Sequence, residues 1–469
     1  MTDTRTIIEM TEGSDEDRMF EGAFNSVLHM DKKDYPSYIG GIKVASGHDF
    51  VVSSPIDDSI RFGNFQEPED DLASLAVDAA KRAFETWSKI DIEKRAGTFE
   101  IVLDNIKRQR FRLASAVLLN SGMTRARSIE EVDRLIEVVE REIKKARSMK
   151  KIKSQGVWAI ISEHNSPLAA PIGYAIAAML AGNAVVMMPS RFCPIPVYLL
   201  YDIMKAAMLP DGVMNVIVDR RGKVTEALTE SEGIMGIVAI GSGKRMEEMM
   251  FLQIDDEIGF VNEVKGMNPV LVSKPHNMTQ AASAILKSAF SFAGQDINAP
   301  SKVVVMAEEQ NAFVEAVLKA ASEMRIGDPV ERSTTVGPVI SGEQMDLFLE
   351  TVETVRDNTI FGGKRLMNDE TEYGFYVIPA IVTGMSMDSD INNIDQTVPI
   401  LSIQTAGDIE EAFEMINCCD VGRLSGIYTK DEKLAQRFKE ESPADVVYVN
   451  DIRSVPTSAF KAEIESFMD

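Results

Sequence analysis

Phe290-Ser291-Phe292-Ala293-Gly294-Gln295-Asp296-Ile297-Asn298-Ala299-Pro300 leaves a helical pattern spanning residues 279–292 and stops just short of an apolar run at 302–306. Helix, glycine turn, polar loop and buried strand make one unit of an alternating α/β chain. Ile297 is the large aliphatic side chain in that loop, and its plainest reading is a core residue.

The same rhythm extends on both sides. Upstream, apolar runs at 157–161, 184–188, 213–218 and 236–240 suit buried parallel strands, with helical patterns at 168–180, 196–208 and 223–229 between them. That is a doubly wound unit, the usual home of a dinucleotide. Downstream, runs at 270–272, 302–306 and 377–382 alternate with helices at 279–292 and 310–324. Before both units, amphipathic helices are predicted at 71–87, 94–118 and 130–146, with Trp87 on a core stripe. Residues 1–33 read as a polar leader with a short helix over 21–29.

Composition excludes several classes. A formal net charge of −24 disfavours nucleic acid and anionic membrane surfaces as partners. The basic cluster at 144–153 reads as a solvated helix end. No apolar run approaches the ~20 residues of a membrane span, and the polar N-terminus is no secretory signal, so the expectation is a cytoplasmic protein. Cys193, Cys418 and Cys419 form neither a disulfide framework nor a zinc pattern, and no metal is expected.

Several blocks carry a resemblance. Residues 290–297 resemble the F-x-x-x-G-Q-x-C segment of the aldehyde dehydrogenase superfamily, with Ile297 where the cysteine stands. Ile39-Gly40-Gly41, the Ala-Phe-x-x-Trp ending at Trp87, Ile326-Gly327-Asp328-Pro329, Thr335 to Ser341, Leu424 to Asp431 and Val447 to Asp451 match further family blocks in order. The leader with Tyr35-Pro36-Ser37-Tyr38 is most similar to the branch containing pyrroline-5-carboxylate dehydrogenases. The resemblance implies an α/β fold of two Rossmann-like domains. Residues 34–262 would form the nucleotide-binding type, residues 263–445 the catalytic type, and residues 446–469 a return strand with a truncated tail.

It also implies a mechanism whose parts can be sought residue by residue. In the family a cysteine attacks the aldehyde, an asparagine and a backbone N–H hold the oxyanion, NAD or NADP takes the hydride, and a glutamate activates water. Asn165 matches the asparagine and Glu263 the glutamate, while a branched alkyl group at 297 cannot add to a carbonyl. Lys265 replaces a family glycine and is as consistent with an ion pair to Glu263 as with a remodelled wall. For the cofactor, Met188 and Arg191 replace a lysine and a glutamate, and Arg191 could instead meet a 2′-phosphate. Gly241 and Ser242 remain as a possible phosphate cradle, with Met246 in place of the last glycine. Asp395 and Thr397 stand where the nicotinamide-ribose block has glutamate and phenylalanine.

Two assembly elements are short. Only residues 148–155 separate the third N-terminal helix from the first strand of the nucleotide unit, where the family has a hairpin. An acidic tail replaces the family's terminal strand. A monomer or a non-family oligomer is expected. Three functional readings remain open: a silent homologue that binds a small molecule or a protein partner, an oxidoreductase working by direct hydride transfer with Asn165 as electrophile, or a dehydrogenase with a relocated cysteine.

Overall fold

The structure is a computed structural model that describes residues 12–30, 32–69, 71–149, 151–242, 246, 258–393, 397–419, 421–451 and 462–468. Two seven-stranded sheets organise it. Across the first, the strands run Gly259–Val264, Ile234–Gly241, Val157–Ser162, Ala184–Met188, Met214–Val216, Ser37–Ile39 and Ile42–Val44. The first five are parallel, and the N-terminal hairpin closes one edge antiparallel. Their apolar runs fit burial on both faces. Helices Leu72–Trp87 and Lys223–Thr229 cover one face, and Ala169–Leu180 and Ile195–Ala206 the other.

The second sheet runs Thr359–Phe361, Ala380–Thr383, Ile400–Ala406, Lys302–Met306, Val270–Val272, Leu424–Tyr428 and Val446–Val449. It is parallel except at its first strand. Helices Met278–Phe290, Gln310–Ser322 and Gly342–Thr354 pack on one face, and Ile409–Asn417 and Glu432–Glu441 on the other. Both sheets are therefore doubly wound, as expected.

Three expected elements differ. The run at 377–382 is split into Val377–Ile378 and Ala380–Thr383, which belong to different sheets. Pro379 lies between them and has no N–H to give a ladder. The helix expected over 94–118 is two, Ile92–Arg108 and Arg110–Ser121, breaking at Gln109. The short leader helix is longer, Asp15–Leu28, because Ser14 caps it by accepting from the Asp17 amide.

The buried helix Ala169–Leu180 is central. Tyr174 supplies its one polar side chain, and all twelve of its residues are buried. Its first amides have no water to turn to, and Glu131 Oε1 accepts from Leu168 N at 3.2 Å, Ala169 N at 2.9 Å and Ser166 Oγ at 2.8 Å. At its other end Trp87 Nε1 donates to the Met179 carbonyl and Arg95 Nε to that of Leu180, both at 2.9 Å. Trp87 is thus in the core, as its stripe implies, but it is also a cap.

The acidic tail is not a loose end. Ala462, Ile464 and Phe467 are buried against this helix and its neighbour Arg125–Ser148. Phe467 meets the Trp158 ring edge-on at 4.6 Å and Tyr174 at 6.2 Å, and its carbonyl accepts from Asn183 Nδ2 at 2.7 Å. Ile464 N donates to Glu142 Oε2 at 2.8 Å, while Lys145 pairs with Glu465. No helix among the described residues is long and apolar enough to cross a membrane.

Removing a fully buried aromatic leaves a cavity that the surrounding sheet cannot close. Phe467→Ala should lower unfolding stability by about 3–5 kcal/mol. Urea denaturation checks this; an unchanged midpoint would mean that the tail is not docked in solution.

Candidate active site

In an open parallel sheet, ligands bind beyond the carboxyl ends of the strands where the strand order reverses. In the first sheet that point lies between Val157–Ser162 and Ile234–Gly241. The loop after the first carries Glu163, His164 and Asn165, and the second ends at Gly241 and Ser242. The two loops are tied together. Ser242 Oγ donates to Asn165 Oδ1 at 3.0 Å, and Glu163 N to the Ile240 carbonyl at 2.8 Å. Gly241 has φ +139°, and a Cβ there would lie 2.6 Å from Glu163 Cβ and 3.2 Å from Asn165 Oδ1. Only glycine lets these loops approach so closely.

Asn165 reaches the second half of the chain. Its Nδ2 donates to the Gln295 carbonyl at 2.6 Å, next to the 296–299 loop. Gln295 is buried and pins the far side: its Oε1 accepts from Ile340 N at 2.8 Å and its Nε2 donates to Phe292 O at 3.1 Å. Gly294, at φ +73°, lies where a Cβ would meet Pro399 Cα at 2.7 Å. Ile297 is 6% exposed, and its carbonyl accepts from Asn268 Nδ2 at 2.9 Å.

The next residue back fixes the loop from below. Asp296 is buried and ion-paired with Arg127, with Arg134 3.7 Å away. Desolvation opposes its charge, but Arg127 and Arg134 more than offset this and hold its carboxyl below the usual range. Asp296 Oδ1 also accepts from Asn298 N at 2.9 Å. The helical pattern at 130–146 stops short of Arg127, and nothing local in the sequence links Arg127 to Asp296.

Glu263 is buried on the adjacent strand, in register with Ile240. Its ion-pair partner is Arg423, and Tyr174 Oη donates to its Oε1. An ion pair at Glu263 was one expectation, but with Lys265; instead Lys265 Nζ reaches Ser301 Oγ at 3.1 Å, and its amide donates to Gly241 O at 2.7 Å. Nothing in the sequence around Arg423 announced this role, because Arg423 and Tyr174 come from distant segments.

Of the cofactor candidates, Gly241 and Ser242 adjoin Asn165, whereas Arg191 is bonded to other loops. Its Nη2 donates to Glu343 Oε2 at 3.0 Å and its Nη1 to the Arg220 carbonyl at 3.3 Å, and its guanidinium lies 4.5 Å above Phe192. Met188 is buried among Val224, Leu228 and Met246, with Thr225 Oγ1 3.8 Å from its sulfur. Asp395 lies outside the described residues. On the neighbouring helix, Gln344 Nε2 donates to the Thr397 carbonyl at 2.5 Å, and Thr397 has φ +56°.

This arrangement coincides with a family match over residues 42–462, described as the aldehyde dehydrogenase family. The chain belongs to that family. Curated relatives similar to this aldehyde dehydrogenase-family chain include a 1-pyrroline-5-carboxylate dehydrogenase of Geobacillus sp. (strain WCH70), 24% identical over 92% of this chain and 88% of the relative. An alpha-ketoglutaric semialdehyde dehydrogenase of Bacillus subtilis (strain 168) is 26% identical over 89% of each chain. Among solved structures, a 1-pyrroline-5-carboxylate dehydrogenase from Thermus with bound NAD superposes with a TM-score of 0.88 at 22% identity, covering 98% of this chain and 96% of that one.

The residues present do not fit a dinucleotide held in the family manner. Met188 offers no hydrogen to a ribose, and the Arg191 guanidinium is already bonded to Glu343. What the site does hold is an unmatched imidazole. His164 is 7% exposed, and neither ring nitrogen has a hydrogen-bond partner among the described residues. Burial, helped by Arg191, pushes its pKa down to about 4.

That depression has a definite sign. The unfolded chain takes up this proton near pH ~6.5 and the folded chain only near pH 4, so stability is full above the first value and declines as pH falls to the second. The loss should reach about 3 kcal/mol. His164→Leu should flatten the pH dependence of the unfolding midpoint between these limits; an unaltered slope would show that the ring is solvated.

Proposed function

We propose that this aldehyde dehydrogenase-family chain is catalytically silent and serves a ligand- or partner-binding role. The observation that carries the reading is Ile297, a buried hydrocarbon at the nucleophile position of the 290–297 block. Its neighbours support it. The Asn165 amide that would receive an oxyanion donates to Gln295 O, and the Glu263 carboxylate that would activate water is held by Arg423 and Tyr174.

Energetics favours the same reading. Losing the nucleophile of a covalent enzyme costs on the order of 10⁶ in kcat, or about 8 kcal/mol of barrier. Oxyanion donors cannot supply that, because without addition to the carbonyl no oxyanion forms for hydride expulsion. A relocated thiol gains little support. Cys193 lies near Ser190 and Glu163, but burial pushes its thiol far up, so little thiolate exists at neutral pH. The reading that keeps direct hydride transfer needs a bound nicotinamide, and the adenosine-side contacts are eroded at Met188 and Arg191.

Each lost hydrogen bond to a ribose or phosphate is worth about 0.5–1.5 kcal/mol, so NAD affinity should fall by ~10²–10⁴, to the millimolar range. Titration calorimetry should therefore show no micromolar NAD binding, and assays with semialdehydes should show no NAD(P)-dependent oxidation above background. Ile297→Cys alone should leave both unchanged. Turnover by the unmodified protein, abolished by alkylating a cysteine, would overturn the proposal.

A further inference from the structure

Arg134 differs from the other arginines of its helix, Arg125–Ser148. Arg125 donates to the Val330 carbonyl and Glu21, and Arg127 to Glu130 and Asp296. Arg141 donates to Glu142 and the Ala462 carbonyl, and Arg147 to Glu93 and Glu100. Arg134 makes no hydrogen bond among the described residues. Its Nη1 lies 3.8 Å from Glu131 Oε2 and 3.7 Å from Asp296 Oδ2, where charges attract but no hydrogen bond forms. Its side chain is only 13% exposed.

Neither carboxylate depends on Arg134 for its hydrogen bonds. Asp296 accepts from Arg127 and from Asn298 N, and Glu131 Oε1 from Ser166 Oγ, Leu168 N and Ala169 N. The pair holds the guanidinium by charge and leaves its N–H donors uncommitted. A cation so far withdrawn from water needs acceptors. Lys287 adds a third positive charge near Glu130. Arg127, Arg134 and Lys287 thus balance Glu130, Glu131 and Asp296, so an incoming anion meets a neutral cluster. Arg134 also borders the site described above, because Asp296 directly precedes Ile297 and follows Gln295, whose carbonyl accepts from Asn165.

We propose that Arg134 binds the carboxylate of a short-chain aliphatic acid whose hydrocarbon part lies against Ile297. The inference rests on the reading of this chain as a silent ligand binder and names the chemistry of the ligand. The planar guanidinium fork matches a carboxylate through two parallel N–H···O bonds, a geometry that a tetrahedral anion or a neutral amide does not reproduce as well. The isoleucine cannot trap an aldehyde, but it offers an apolar wall to the chain of an acid. A charged head and a hydrocarbon tail therefore meet complementary groups on one side of the 295–297 loop.

The test is an NMR titration of the full chain with acetate, butyrate and butyramide at neutral pH and fixed ionic strength, with inorganic phosphate as a competing anion. Butyrate should bind ~10–100-fold more tightly than butyramide, the worth of hydrogen bonds to a charged group. Affinity should rise ~4-fold per CH₂ from acetate to butyrate. Arg134→Gln should abolish the preference for the acid, and Arg134→Lys, which keeps the charge without the fork, should restore only part of it. The proposal is overturned by absence of butyrate binding, by equal affinity for acid and amide or for acetate and butyrate, or by phosphate that competes as well as butyrate does. An unchanged acid preference in folded Arg134→Gln overturns it too. The ligand comparisons use the unmodified chain, so they decide even where a variant does not fold. None of these titrations contains a nucleotide or an aldehyde. Turnover in the assays above would overturn the silent reading and leave acid binding standing, whereas failure to bind acids would do the reverse.

Discussion

The buried helix Ala169–Leu180 is the constraint on which the rest of the structure depends. An apolar helix with no water at either end must have its terminal amides and carbonyls satisfied by other parts of the chain. Glu131 does this at one end, and Trp87 with Arg95 at the other. Those three residues come from the N-terminal helices, so the helical layer is locked onto the first sheet by hydrogen bonds as well as by area. The helix's polar side chain, Tyr174, reaches Glu263 and meets Phe467, which brings the strand Gly259–Val264 and the tail into the same arrangement.

At the candidate site the polar groups are largely satisfied by one another. Asn165, Ser242, Gln295, Asp296 and Glu263 all have partners within the chain. Preorganised catalytic groups usually retain free hydrogen-bonding capacity directed at a reacting atom. Here the bonds run from loop to loop and join the two halves of the molecule. The same residue types that elsewhere in this family stabilise a transition state can in this way act as fasteners. His164 differs in having neither an ion pair nor a hydrogen bond to its ring nitrogens among the described residues.

Much of the fold was legible because its signals are local. Val270–Val272, Lys302–Met306 and Lys223–Thr229 fall where short apolar runs and helical spacing put them. Errors arose where one residue interrupts a pattern, as Pro379 does between two short strands and Gln109 between two helices. The candidate site's residues could be named from the sequence, but their partners could not. Asn165, Glu263 and Ile297 could be placed by their motifs, whereas the partners that decide their roles could not. Arg423 meets Glu263, and Arg127 meets Asp296, across sequence distances over which no periodicity speaks. Lys265 was the natural candidate beside Glu263 because adjacency in sequence is what a reader sees; it lies just past the end of strand Gly259–Val264, and its side chain reaches Ser301 instead.

The docking of Phe467 has a consequence for how the molecule comes apart. Its carbonyl is bonded to Asn183, 284 positions earlier, and its ring closes a slot lined by Trp158 and Tyr174. The first sheet's core is therefore completed by sequence that follows the whole of the second sheet. Two units stitched together in this way cannot melt independently without opening a hole in one of them, so the chain is built to unfold as one cooperative body. Its folding must likewise wait for a contact of very long loop-closure distance, which places this protein among slow, non-local folders.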